Sequence, residues 1–151
     1  MTERQGKSRP ETLCRTRVSS VRAIDWFSGI GGFRLGLEPL GVEFVAHSEV
    51  DDYAEKVYRR HWPDCPNLGD IREVEPASIP AADMWVGGFP CQPFSVAGKR
   101  EGEHDERDLW PLWSALVGAV RPRILFAENV PGLLSGDGGR WFGRCVAGPC
   151  A

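Results

Sequence analysis

A strand-length run, Val21-Arg22-Ala23-Ile24-Asp25-Trp26-Phe27, breaks into Ser28-Gly29-Ile30-Gly31-Gly32, and this break constrains the fold more than any other stretch. Phe33, Leu37 and Leu40 then recur at helical spacing, and Gly41 stands where a helix C-cap glycine belongs. Strand, glycine turn and helix in that order are the opening unit of a nucleotide-binding α/β sheet. Glycines let the backbone approach a ligand while the helix N-terminus offers free amides. Gly29-x-Gly31-Gly32 departs from the G-x-G-x-x-G spacing, which disfavours a nicotinamide cofactor and leaves a nucleoside ligand open.

The unit repeats along the chain. Val42 to Ser48 predicts a second strand ending in Glu49, about 20 residues past the glycine turn, where such folds place a carboxylate for ribose hydroxyls. A solvated helix-cap carboxylate is the plainer alternative. Asp52 and Glu55 predict a capping box, with Ala54, Val57, Tyr58 and His61 on a helix face ending before Pro63. His61 therefore belongs to the helix rather than to catalysis. Asn67-Leu68 is a third strand candidate, and Asp70 after it reads either as an acceptor for an exocyclic amine or as a turn aspartate. Met84-Trp85-Val86 is a buried strand, and Ile124 to Ala127 is another. Between them Leu109, Leu112, Trp113, Leu116 and Val120 predict a helix with Pro111 in its first turn. Five strands alternating with helices predict an open parallel sheet covered on both faces.

Two strand exits carry reactive groups. Gly87-Gly88-Phe89-Pro90 delivers Cys91, whose thiol needs a helix end, a cation or oriented amides to become a thiolate; a structural cysteine in a turn is the alternative. Glu128 leaves its strand in the same topological position, so both groups face one cleft of a parallel sheet. The polar stretch from Val96 to Asp108, with Lys99, Arg100 and Arg107, reads as a lid over that cleft or as a surface loop.

A chain of 151 residues, 42% apolar and with net charge −3, is enough for one core and gives no general argument for a polyanionic partner. Cysteines 14, 65, 91, 145 and 150 lack paired spacing, which argues against a disulfide framework and a zinc site. No apolar run approaches the roughly 20 residues of a membrane span, and the start lacks a signal peptide's apolar stretch, so a cytoplasmic location is expected. Residues 1–20, basic and aperiodic, read as a mobile tail.

Asp25-x-Phe27-x-Gly29-x-Gly31-Gly32-Phe33, Glu49, Gly69-Asp70-Ile71, Gly88-Phe89-Pro90-Cys91-Gln92-Pro93-Phe94-Ser95 and Glu128-Asn129-Val130, in this order, closely resemble the DNA cytosine-5 methyltransferases over residues 21–135. The resemblance implies an S-adenosylmethionine-dependent methyltransferase fold, a Rossmann-like open parallel sheet incomplete at its C-terminal side. It implies S-adenosylmethionine as cofactor, double-stranded DNA as partner, no metal, and a place in restriction and modification. By it, Phe27, Ser28, Gly29, Ile30, Gly31, Gly32, Glu49, Val50, Asp70, Ile71 and Pro90 form the cofactor pocket. Glu49 holds the ribose there, and Asp70 and Ile71 hold the adenine. Cys91 is then the nucleophile and Glu128 the carboxylate on the cytosine. Phe89, Gln92, Ser95, Lys99, Arg107, Asn129 and Val130 face the substrate base or the DNA.

Members of that family run longer. A later arginine-bearing strand, a target-recognition domain and a segment returning to the cofactor pocket have no counterpart in these residues, so residues 136–151 read as an atypical, truncated or frame-shifted end. A complementing C-terminal half is then an expected partner. A non-catalytic remnant and a tRNA cytosine-5 methyltransferase are the alternatives.

Overall fold

The computed structural model describes residues 20–90 and 108–148. The basic tail through residue 19, the lid stretch through Arg107, and Cys91, Gln92, Ser95 and Lys99 lie outside the described residues, as do residues 149–151.

Four parallel strands, β1 (Val21–Trp26), β2 (Val42–Ser48), β3 (Met84–Gly88) and β4 (Ile124–Glu128), form one sheet in the order β2-β1-β3-β4. α1 (Gly32–Leu37) packs Phe33 and Leu37 with Ala23, Phe44 and Val86 on one face. α2 (Asp52–His61) joins that face through Tyr58, whose ring stacks on His47 at 3.8 Å. The other face is covered by α3 (Trp110–Val120), and by Leu133 and Trp141 from α4 (Gly132–Ser135) and α5 (Arg140–Ala147), around Ile24, Trp26 and Trp85. Strand β1 is central: Ala23, Ile24, Asp25 and Trp26 are wholly buried. The chain leaves β1 first toward β2 and later crosses to β3 on its other side, so the strand order reverses between β1 and β3. Open α/β sheets bind ligands in the crevice outside the carboxyl ends of the strands at such a reversal.

Several expectations need correction. The sheet has four strands rather than five among the described residues, because Asn67 makes only an isolated bridge to His47. The N-cap of α2 is Asp51 rather than Asp52: Asp51 has extended backbone and its carboxylate accepts the Ala54 amide at 2.8 Å. Gly41 does take the left-handed cap, but of a 3-10 turn, Glu38–Leu40, since Pro39 has no amide with which to continue α1. On α3 the buried face is Trp110, Trp113, Leu116 and Val117, while Leu112 is exposed, because Leu109 caps the helix and the stripe is rotated. The stretch from Cys145, which showed no period, continues α5 as far as Ala147.

Candidate active site

The β1 exit is a strained turn held by its surroundings. Phe27 takes φ 54°, rare for a bulky side chain, and its ring meets Trp113 edge-on at 5.6 Å. The Ser28 amide donates to the Ser48 carbonyl at 3.0 Å, tying the β1 exit to the β2 exit. Gly29 and Gly31 both have positive φ, at 53° and 91°, for different reasons. A side chain on Gly29 would meet nothing within 4 Å, so the space beside its Cα is open. A Cβ on Gly31 would lie 2.3 Å from the Trp62 ring, so that glycine lets the turn pack on the end of α2. Gly32 opens α1, and Ile30 is exposed at the tip of the turn.

Glu49 sits at the hub of this half. Its carboxylate accepts the Gly29 amide at 2.7 Å and the Val50 and Asp51 amides at 2.8 Å each. A carboxylate has about four acceptor directions, so three bonds leave roughly one for a ligand. Asp70 caps a 3-10 turn, Ile71–Glu73, accepting the Arg72 amide at 2.9 Å and pairing with the Arg72 guanidinium at 3.1 Å. The turn-aspartate reading is thus what these bonds show. Ile71 is buried beneath Asp70. Phe27, Glu49, Val50, Asp70, Ile71 and Pro90, with Ser48, Arg72, Gly88 and Leu109, line a cleft of about 250 Å³.

On the neighbouring exits, Glu128 lies directly beside Gly88 in the β3–β4 register. A Cβ on Gly88 would come within 2.9 Å of its carboxylate, so a side chain there would push the Glu128 carboxylate aside. The Asn129 side-chain amide donates to the Phe89 carbonyl at 2.9 Å, and its oxygen accepts the Val130 amide at 2.9 Å. Phe89 is packed into the core against Trp110 and Trp113, with ring centroids 5.1 and 6.0 Å away, rather than lining the cleft. Val130 is partly exposed, and its carbonyl accepts the Leu133 amide that starts α4.

Three contributors escaped sequence reasoning. Asn67 holds the Glu49 backbone from both sides. His47, wholly buried, reaches Glu55 at 2.7 Å, and burial holds its pKa below the usual histidine value. Asp25 is wholly buried with neither carboxylate oxygen hydrogen-bonded, and burial pushes its pKa up to about 8 against the lowering pull of the Arg34 amide and cation. A charge inside an otherwise apolar strand, and its place at the head of the Asp25-x-Phe27-x-Gly29 motif, were the available signals for Asp25.

Residues 21–147 match the profile of the C-5 cytosine-specific DNA methylases. The chain belongs to this family. Among curated relatives it is 49% identical over 121 residues to the type II methyltransferase M.HgiBI of Herpetosiphon aurantiacus, covering 78% of this chain and 27% of that protein. It is 41% identical over 124 residues to the type II methyltransferase M.HhaI of Haemophilus parahaemolyticus, covering 82% of this chain and 38% of that one. The chain thus spans well under half the length of these relatives. Among solved structures, a protein of an E. coli prophage assigned as a DNA modification methyltransferase superposes with a TM-score of 0.69 at 27% identity, over 83% of this chain and 36% of that one. Spodoptera frugiperda DNMT2 shares the fold with a TM-score of 0.65 at 23% identity, over 86% and 41%. Among the described residues no helix is long and apolar enough to cross a membrane, and no three His, Cys, Asp or Glu side chains are grouped to hold a metal ion.

Proposed function

We propose that this chain carries the cofactor pocket and the reacting groups of an enzyme that methylates carbon 5 of cytosine in DNA. The observation that carries the reading is the pairing of the two exits beside β1: a cleft lined by Glu49 and Asp70, and next to it Glu128 packed across Gly88, three residues before Cys91. The donor set fits S-adenosylmethionine. Glu49 keeps an acceptor for a ribose hydroxyl, Asp70 offers carboxylate oxygens to an exocyclic amine, and Phe27, Ile71 and Pro90 supply apolar walls. The described cleft is smaller than the roughly 300 Å³ at which drug-sized pockets begin, matching a part of the cofactor such as its nucleoside. When bound, S-adenosylmethionine supplies an electrophilic methyl group.

Carbon 5 of cytosine is a poor nucleophile. The Cys91 thiolate forms a bond to carbon 6, and the electron pair of the 5,6 double bond becomes available at carbon 5 for methyl transfer. Glu128, hydrogen-bonded at ring N3 and the exocyclic amine, stabilises the charge the ring accepts and selects cytosine. Loss of the carbon 5 proton then restores the double bond as the sulfur–carbon 6 bond breaks and the thiolate returns. Neither ring carbon is reachable inside a stacked duplex, so the base is flipped out at a cost of a few kcal/mol, offset by phosphate contacts. Ser95, Lys99 and Arg107 are candidates for those contacts, and Gln92 for the strand opened by flipping.

Sequence equivalent to the remaining length of the relatives completes the site, as a continuation or as a complementing chain. The partly exposed Ile124 and Phe126 on edge strand β4 support this, since an uncovered apolar edge seeks a partner. The test uses duplex DNA containing 5-fluorocytosine, whose carbon 5 substituent cannot leave as a cation, so the adduct persists. The chain, completed with the C-terminal part of a relative, should form a covalent complex that maps to Cys91 and needs S-adenosylmethionine for methylation. Cys91→Ser should abolish it. A complex that persists in Cys91→Ser, or an active completed enzyme that forms none, overturns the mechanism.

A further inference from the structure

Asn67 is half-buried in a segment that pairs with β2 only around one residue: the His47 amide donates to the Pro66 carbonyl at 3.0 Å, and the Leu68 amide to the His47 carbonyl at 2.7 Å. Its side chain does more than its backbone. Its amide nitrogen donates to the Glu49 carbonyl at 3.0 Å, while its oxygen accepts the Glu49 amide at 3.1 Å and the Gly69 amide at 2.9 Å. Both backbone groups of Glu49, and the residue before Asp70, are thereby bound to one planar amide. Its orientation follows from the network, since a flipped amide would set its nitrogen against two N–H donors. The Ser48 hydroxyl adds a parallel link, donating to the Gly69 carbonyl at 2.7 Å. Glu49 in turn holds Gly29, Val50 and Asp51.

We propose that Asn67 is the positioning residue for the nucleoside half of the ligand, fixing the spacing between Glu49 and Asp70 so that one side selects ribose and the other the base. This rests on the cofactor reading above and deepens it. Asparagine suits the task because it alone among short side chains donates and accepts in one plane. Aspartate keeps both acceptor bonds, places oxygen against the Glu49 carbonyl, and should retain part of the effect.

The test compares wild type, Asn67→Asp and Asn67→Ala as the full 151-residue chain. Without ligand, amide hydrogen exchange at Gly29, Val50 and Asp51 should quicken in Asn67→Ala, while Asp83 and Ile124, bonded at the far end of the sheet, stay unchanged. With ligand, wild type should prefer adenosine over 2′,3′-dideoxyadenosine, and Asn67→Ala should lose affinity for adenosine about tenfold and most of that preference, with Asn67→Asp between. Unchanged exchange, or weaker binding with the preference intact, overturns the proposal. If both variants fail to fold, Asn67 is a determinant of the fold and the proposal likewise falls. A wild-type chain that does not distinguish the two nucleosides overturns the cofactor reading itself, a separate outcome from a preference that survives in the variants.

Discussion

The exits of β1 and β2 and the exits of β3 and β4 are built differently. At the first pair, Glu49 accepts three amides, Asn67 binds three backbone groups, and the last four residues of β1 are wholly buried. At the second, Glu128 stands exposed on an edge strand, and among the described residues one side-chain bond, from Asn129 to the Phe89 carbonyl, joins the two exits. The first half is preorganised by bonds within itself. Among the described residues the second gives its carboxylate little local support, in keeping with the proposed role of meeting a base brought from outside. On the proposed reading, binding and reaction are separable in this fold, and substitutions should divide along that line.

The largest expected effect tests the division directly. Glu128→Gln should lower methyl transfer by the completed enzyme about 10²- to 10⁴-fold while leaving the unfolding midpoint almost unmoved, because the side chain is exposed. Glu49→Gln should do the reverse, weakening the fold and adenosine binding together, since an amide cannot accept all three backbone donors. Equal losses of stability in both would erase the contrast. Next in size is the pair of turn glycines. Gly31→Ala combines a left-handed backbone with overlap on the Trp62 ring and should cost about 2–4 kcal/mol in denaturant unfolding. Gly29→Ala meets only the backbone penalty, about 1–2 kcal/mol, with open space around it. A Gly29 variant as damaging as the Gly31 variant would mean that the open face is not open.

The sequence made the strand exits legible because each is punctuated: two glycines before Cys91, a carboxylate after Ile124 to Ala127, three glycines after Phe27. Those marks report local chemistry and survive without knowledge of the fold. What stayed hidden depends on partners far along the chain. Asn67 meets Glu49 across 18 residues and Asn129 meets Phe89 across 40, and no local pattern announces either bond. Asn67-Leu68 read as a strand because a bridge and a strand look alike over two residues. The stripe on α3 was misplaced for a physical reason too: Trp110 and Val117 are as apolar as Leu112, and only packing chooses among them. That the bare side of Gly31 faces Trp62 likewise depends on a partner 31 residues away.

A pH-dependent effect concerns the buried acid of β1. Unfolded, Asp25 ionises near pH 4, whereas burial raises its folded pKa to about 8. Between those values unfolding releases a proton, so this group's contribution to stability is greatest at low pH. It falls as pH rises from about 4 to 8, by at most about 1.4 kcal/mol per unit, and is level above that. Arg34, Glu49 and Tyr58 are the charged or titratable neighbours involved. Asp25→Asn, an isostere of the protonated acid, should match wild type near pH 4 and exceed it at pH 9 in denaturant melts. Identical pH profiles would show that Asp25 is ionised in the folded chain and neutralised by its neighbours.

The smallest expected change falls on the bond that joins the reacting exits. Asn129→Ala removes the donor to the Phe89 carbonyl and the acceptor of the Val130 amide. Phe89 remains anchored between Trp110 and Trp113, so global stability should fall by only about 0.5–1.5 kcal/mol. Among the described residues, the Asn129 side chain carries the one side-chain hydrogen bond between the Glu128 exit and the Phe89 exit. Transfer by the completed enzyme should therefore drop further than stability, in kcat rather than in the KM for S-adenosylmethionine, because the β1 and β2 exits are untouched. A KM effect for the cofactor with kcat preserved would place Asn129 on the binding side of the site and break the division between the halves.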